Sequence, residues 1–138
     1  MDDKPRSTSS GIMTRVDVRF VDTDAHGHVN NSHIATYFEI GRDQVLRDGD
    51  SIVSAPSCTF VLAQYTVRFI HEVTFPGVVS VESTVESIGR SSVTLRQVLR
   101  ENDIICAEST STIVHFCTET RRAKELPDDV KSFLTRSR

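Results

Sequence analysis

The hydrophobic period of this chain changes twice, and that order constrains its fold more than any other feature. Residues 13–20 alternate, with Val16, Val18 and Phe20 on one face and Arg15, Asp17 and Arg19 on the other, the period-2 pattern of a half-buried strand. After Asn31 the spacing becomes three and four: Ile34, Tyr37, Phe38, Gly41, Val45 and Leu46 form one apolar stripe on a helix of about four turns. Asn30 or Asn31 suits the N-cap, while Glu39, Arg42, Asp43 and Arg47 lie largely off the stripe. Gly49 follows where a left-handed terminating residue is favoured, so the helix is predicted to stop near Asp48. Period 2 then returns in four segments, 59–70, 76–88, 91–101 and 104–118, separated by the turn signals FPG, GRSS and END.

Strand, long helix, then four long strands with tight connections implies an α+β layer: a largely antiparallel sheet with one amphipathic helix covering one face. Gly41 inside the stripe costs about 1 kcal/mol of helix propensity relative to Ala, so a neighbouring backbone must come close there, and a sheet is the natural neighbour. In LPDDVKSFL, Pro127 sits near a first turn with Asp128 and Asp129 at its positive end, which predicts a short closing helix. Residues 1–12 are polar and read as a flexible tail, leaving residues 13–138 as one domain. One helix cannot cover every strand edge of such a sheet, so pairing with a second copy is expected, as a homodimer or homotetramer.

With 138 residues, 38% apolar and 25% charged, the chain can bury a core without staples. A net charge of −3 argues against a general partner among nucleic acids or anionic membranes. Cys58, Cys106 and Cys117 are odd in number and lack the short paired spacing of a zinc knuckle or redox motif, so they read as reduced, mostly buried thiols of a cytoplasmic protein. No apolar run reaches membrane-spanning length.

Chemistry concentrates in DTDAHGHVNN, residues 22–31, which place two Asp, two His and two Asn around Gly27 at the strand-to-helix junction. From the residues alone this is a catalytic turn, a metal site or a polar loop with a good helix cap. Asp24, His26 and His28 are metal-capable, but no distant ligand pairs with them and no metal is expected. Asp22 reads as a turn residue, and His33, His71 and His115 as surface or hydrogen-bonded histidines.

VRFVDTDAHGHVNNSHIATYFEIGRD, residues 18–43, resembles the opening of the hotdog-fold acyl-CoA thioesterases of the 4-hydroxybenzoyl-CoA thioesterase family. That signature runs aromatic, x, Asp, x, Asp, two residues, Gly, then often His-Val-Asn-Asn and a Tyr-Phe-Glu helix. The stretch from Thr74 to Pro127 adds weaker likeness, and coverage is about residues 13–134. The resemblance implies a hotdog fold: a curved antiparallel five-stranded sheet wrapped around one long central helix, with a short C-terminal helix. It also implies hydrolysis of an acyl-CoA thioester, with coenzyme A as part of the substrate and no separate cofactor.

Under that resemblance Asp24 is the catalytic carboxylate, as nucleophile or as general base. Asn31 supplies the first free backbone N–H of the helix to the thioester oxygen, a donor suited to an oxyanion. Gly27 lets the turn approach substrate, and His28 orients Asp24 or a water. His26 stands where plant acyl-carrier-protein thioesterases carry an asparagine of their site, so that mechanism is not carried over. Gly89, Arg90, Ser91 and Ser92 form the candidate coenzyme A contact, with Arg68 and Arg121 or Arg122 as further phosphate partners; from the residues alone, 88–92 is a hairpin turn. Glu39 reads as a polar helix residue or a second carboxylate facing the site. The expected assembly joins Asp24 of one subunit to the nucleotide clamp of the other. Rival readings are an acyl-carrier-protein thioesterase, a hotdog dehydratase and a non-catalytic acyl-CoA-binding module.

Overall fold

The computed structural model describes residues 11–48 and 57–138. Most of the expected tail, and the expected helix-terminating Gly49, lie outside the described residues. Within them the order is β1 (Ile12–Asp17), α1 (Asn31–Asp48), β2 (Cys58–Phe69), β3 (Val78–Ile88), β4 (Ser92–Glu101), β5 (Ile104–Cys117), β6 (Arg122–Ala123) and α2 (Asp128–Arg136). The strands pair antiparallel in the order β1-β3-β4-β5-β2, which leaves the long β2 on an edge. This is the hotdog arrangement, a curved sheet carrying one long helix.

The five expected strands are present with one short addition, and one strand boundary needs correction. The sheet has a sixth strand, the two-residue β6, which pairs with β5 beyond the β3–β4 hairpin. And β1 ends at Asp17, three residues before Phe20; a single 3₁₀ turn, Phe20–Asp22, follows and leaves Phe20 72% exposed. The apolar alternation carries on into a turn that the backbone bonds of Asp22 and Thr23 close, so period alone overshot the strand.

The inner face of the sheet follows from the alternation: Val79, Val81, Ser83 and Val85 of β3 and Val93, Leu95, Gln97 and Leu99 of β4 are buried. The END turn joins β4 to β5 with Asn102 and Asp103 both at positive φ, 52° and 74°, the conformation a two-residue hairpin of matching twist requires. Helix α1 lies over β1, β3 and β4. Its contact is close at Gly41, where a Cβ would sit 2.7 Å from Val81 Cγ1 and 2.9 Å from Gln97 Nε2. The close neighbours are side chains of the sheet, not its backbone. Gln97 Nε2 donates to the Phe38 carbonyl at 3.0 Å and to Ser83 Oγ at 2.9 Å, tying helix to sheet at the same point.

Ile34, Tyr37 and Phe38 join β3 and β4 in one cluster of the core; Val45, Leu126, Val130 and Leu134 fill a second, closed by α2. Arg42, read from the sequence as off the stripe, is only 7% exposed and lies over the Tyr65 ring. Strand β2, by contrast, is largely exposed, and between it and α1 a cleft of about 550 Å³ opens along the helix, lined among others by Glu39, Arg42, Leu46, Phe60, Leu62 and Tyr65. Neither described helix is long and apolar enough to cross a membrane.

Candidate active site

The loop between β1 and α1 is anchored by Asp22. Its carboxylate is 1% exposed and accepts from Tyr37 Oη at 2.7 Å, from the Arg19 N–H at 3.0 Å and from Arg19 Nη2 at 2.9 Å. Burial pushes its pKa up, but the Tyr37 and Arg19 bonds outweigh burial and hold it below the usual Asp value. Burial, and then the bond to Asp22 and its negative charge, push the Tyr37 hydroxyl upward against the opposing charge of Arg19, so it stays protonated and donating. The Asn30 N–H donates to the Asp22 carbonyl at 2.9 Å, which fixes where α1 begins.

Two isolated bridges, Thr23 with Val29 and His28 with Thr74, pinch the loop between them. Gly27, at φ 84° and with open space where a Cβ would stand, permits that reversal. Asp24 is exposed at the bend. Its Oδ1 accepts from the backbone N–H of His26 at 2.7 Å and of His28 at 3.2 Å. Those bonds, led by His26, outweigh desolvation and keep the carboxyl below its ordinary range. His28 thus orients Asp24 through its main chain, while its ring is turned to Glu72, Nε2 to Oε1 2.9 Å.

Helix α1 starts with Asn30 as its cap: Asn30 Oδ1 accepts the Ser32 N–H at 3.0 Å, and the Asn30 carbonyl accepts from His33 and Ile34. Among the described residues the Asn31 N–H is the one donor of this first turn without a partner. It borders a cavity of about 250 Å³ lined by Val29, Asn31, Ile34, Phe69, Ile70, His71, Glu72, Val73 and Cys106. A free N–H at the positive end of an 18-residue helix, on a residue lining a cavity of mixed polarity, is equipped to bind an oxygen that gains negative charge.

Asp24 does not line that cavity; it reaches the wall through the adjoining His28–Glu72 pair. Glu72 was missed in the sequence because only the His28–Thr74 bridge brings it to the loop. Gly89 to Ser92 form a tight β3–β4 hairpin, where Gly89 N–H donates to the Ser92 carbonyl and a Cβ on Gly89 would meet Ser92 Oγ at 2.8 Å. Backbone bonds from Leu126 to Arg90 and from His115 to Ser91 pin this hairpin to the rest of the fold. Strand β3, 11 residues and about 35 Å of extended chain, lies between it and Thr74 with the Asp24 loop, so the two regions sit at opposite ends of that strand. Arg90 is exposed beside Glu125, and Arg68 lies on the outer face against Glu108. Glu39 belongs to the larger cleft further along α1, and Arg122 borders another cavity, at the β5–β6 turn.

A family model described as the thioesterase-like superfamily matches residues 18–134. No curated protein matches the sequence. Among solved structures, a predicted thioesterase from Bacillus stearothermophilus is 27% identical, with a TM-score of 0.85 over 92% of this chain and 96% of that one. Slr0204 from Synechocystis, a 1,4-dihydroxy-2-naphthoyl-CoA thioesterase, is 14% identical, with a TM-score of 0.80 over 91% and 96%. SAV2348 from Staphylococcus aureus, solved in complex with CoA, is 12% identical, with a TM-score of 0.79 over 91% and 82%.

Proposed function

The chain belongs to the thioesterase-like superfamily and is a thioester hydrolase, and from that premise we propose that its substrates are acyl-coenzyme A thioesters, cleaved to the free acid and coenzyme A by Asp24 with the Asn31 N–H as oxyanion donor. The observation that carries the reading is that unpartnered N–H at the start of α1, on a residue that lines a cavity beside the loop that holds Asp24. As the carbonyl carbon becomes tetrahedral, its oxygen takes the charge that the N–H and the helix end stabilise.

Asp24 is ionised throughout the neutral range. As nucleophile, Asp24 bonds to the carbonyl carbon, the thiolate of coenzyme A leaves, and water hydrolyses the resulting anhydride; as general base, it takes a proton from the water that attacks the same carbon as the thiolate leaves. Its backbone donors keep Oδ1 fixed while Oδ2 stands outside those two bonds, oriented for reaction. Gly27 permits the bend that presents it. The choice of a CoA over a carrier-protein substrate is supported by the rim of the cavity, which carries His71 and Glu72 and, among its described lining residues, no Lys or Arg to dock an acidic partner. The two CoA-related neighbours point the same way.

The proposal includes a shared site in a homodimer of a cytoplasmic protein. Gly89, Arg90, Ser91 and Ser92, with Arg68, would hold the nucleotide of the substrate bound at the other subunit's Asp24, because one chain separates these regions too far for a single pantetheine arm. The edge strand β2 exposes Val61, Leu62, Tyr65 and Phe69, apolar area that a second copy would cover. The acyl chain would then run along α1 in the larger cleft. Thiol release from a panel of acyl-CoAs, aromatic and aliphatic, tests the assignment: wild type should turn over at least one, and Asp24→Ala should lose about 10²–10⁴-fold. Equal rates in both proteins remove Asp24 from the mechanism.

A further inference from the structure

Cys58 opens β2 and Cys117 closes β5, and the register sets them directly opposite each other on neighbouring antiparallel strands. The next pair, Ser57 and Thr118, is joined by the Thr118 N–H to the Ser57 carbonyl at 2.7 Å, whereas the Cys117 carbonyl turns to the other side and accepts from Arg121. The cysteines therefore occupy a non-hydrogen-bonded pair, the narrow kind, in which Cα atoms lie about 4.5 Å apart and both side chains stand on one face. That separation falls within the range a disulfide spans. Both residues are thiols here.

Cys58 is half-buried and Cys117 is 8% exposed. Cys117 borders a cavity of about 510 Å³ whose other walls are Thr120, Arg122, Ala123 and Lys124. Hydrogen bonds from the hydroxyl and N–H of Thr120, the Glu119 N–H and the Cys58 thiol outweigh desolvation and hold the Cys117 thiol below its ordinary range. Cys106 contrasts with it: burial pushes that thiol up, and it lies in the core.

We propose that Cys117 is a peroxide-reactive thiol and Cys58 its resolving partner, together forming an oxidative modification site separate from the thioesterase chemistry. The Cys117 thiolate attacks one oxygen of a peroxide, the O–O bond breaks and hydroxide departs, leaving a sulfenic acid. The Cys58 sulfur then attacks that sulfur, its proton leaves with the hydroxyl as water, and an S–S bond forms. Two thiols and one hydrogen peroxide give one disulfide and two waters. The bond would clasp the edge strand β2 to β5 next to Phe60, which borders the α1 cleft.

The test uses the reduced full chain, exposed to one equivalent of hydrogen peroxide, denatured, alkylated with iodoacetamide and mapped by mass spectrometry. Alkylation should fall on Cys106 alone, with the Cys58 and Cys117 peptides linked. In Cys58→Ser the reaction should stop at a Cys117 sulfenic acid that dimedone captures, and Cys117→Ser should consume peroxide at least about tenfold more slowly. Three alkylated thiols in the oxidised wild type, equal consumption in Cys117→Ser, or a disulfide joining two chains would overturn the proposal. The wild-type peptide map stands without either variant.

Discussion

Asn31 offers an unusual separation of side chain from backbone function. Its N–H is the open donor, and proline is well tolerated at the first position of a helix because that N–H has no intrahelical partner. Asn31→Pro should therefore keep α1 intact by circular dichroism yet lower kcat by about 10²–10³-fold, while Asn31→Ala stays near wild type. Loss of activity in both variants would move the role to the side chain. Asp22 has the opposite character, a buried carboxylate engaged by Tyr37 and Arg19. Replacing it by Asn leaves Tyr37 and Arg19 poorly paired and should cost about 1–3 kcal/mol in denaturant unfolding. Because its folded pKa lies below the unfolded value, its stabilisation is complete above the ordinary Asp range and is lost as pH falls through the folded pKa. Wild type should thus lose stability more steeply than Asp22→Asn below about pH 4, with little difference in slope at neutral pH.

At the scale of elements, the seating of α1 on the sheet depends on what Gly41 lacks. Gly41→Ala gains about 1 kcal/mol of helix propensity. It also drives a methyl group against Val81 and Gln97, both fully buried, where overpacking costs about 1–3 kcal/mol. The net effect should be a lower melting temperature, and a rise would show that β3 and β4 yield easily at that point. The helix itself was legible because its stripe, Ile34 to Val45, is local. Arg42 was not, since the ring that shelters it, Tyr65, is brought alongside by β2 from more than twenty positions away. The overshoot of β1 has a similar origin: Phe20 continues the alternation, but hydrogen bonds to Arg19 and Phe20 carbonyls turn the chain first.

For the whole molecule, the separation of the Asp24 loop from the Gly89–Ser92 hairpin makes a definite prediction about assembly. If each site draws on two copies, mixing Asp24→Ala with a chain lacking the clamp (Arg90→Ala with Ser91→Ala) should restore about a quarter of wild-type activity, since half of a random mixture is mixed dimer with one complete site. Activity that stays at the level of the separate variants, with dimers present by sedimentation, would place both regions' roles within one chain. A long edge strand with exposed Leu62, Tyr65 and Phe69 gives the physical reason to expect that dimer.

By itself the sequence determined what neighbours along the chain can encode: the two changes of period, a capped helix start at Asn30 or Asn31, the END turn, and the Asp24–Gly27 bend. Such features depend on side-chain spacing and local backbone bonds, so they survive without knowledge of the fold. Only the tertiary structure decided which distant groups meet and which stay apart: Glu72 beside His28, Arg42 under cover of Tyr65, Cys58 opposite Cys117, and the candidate clamp at the far end of β3 from the Asp24 loop of its own chain. Strand order and register come from packing between remote segments, and a shift of one residue in that register would have turned either cysteine to the other face.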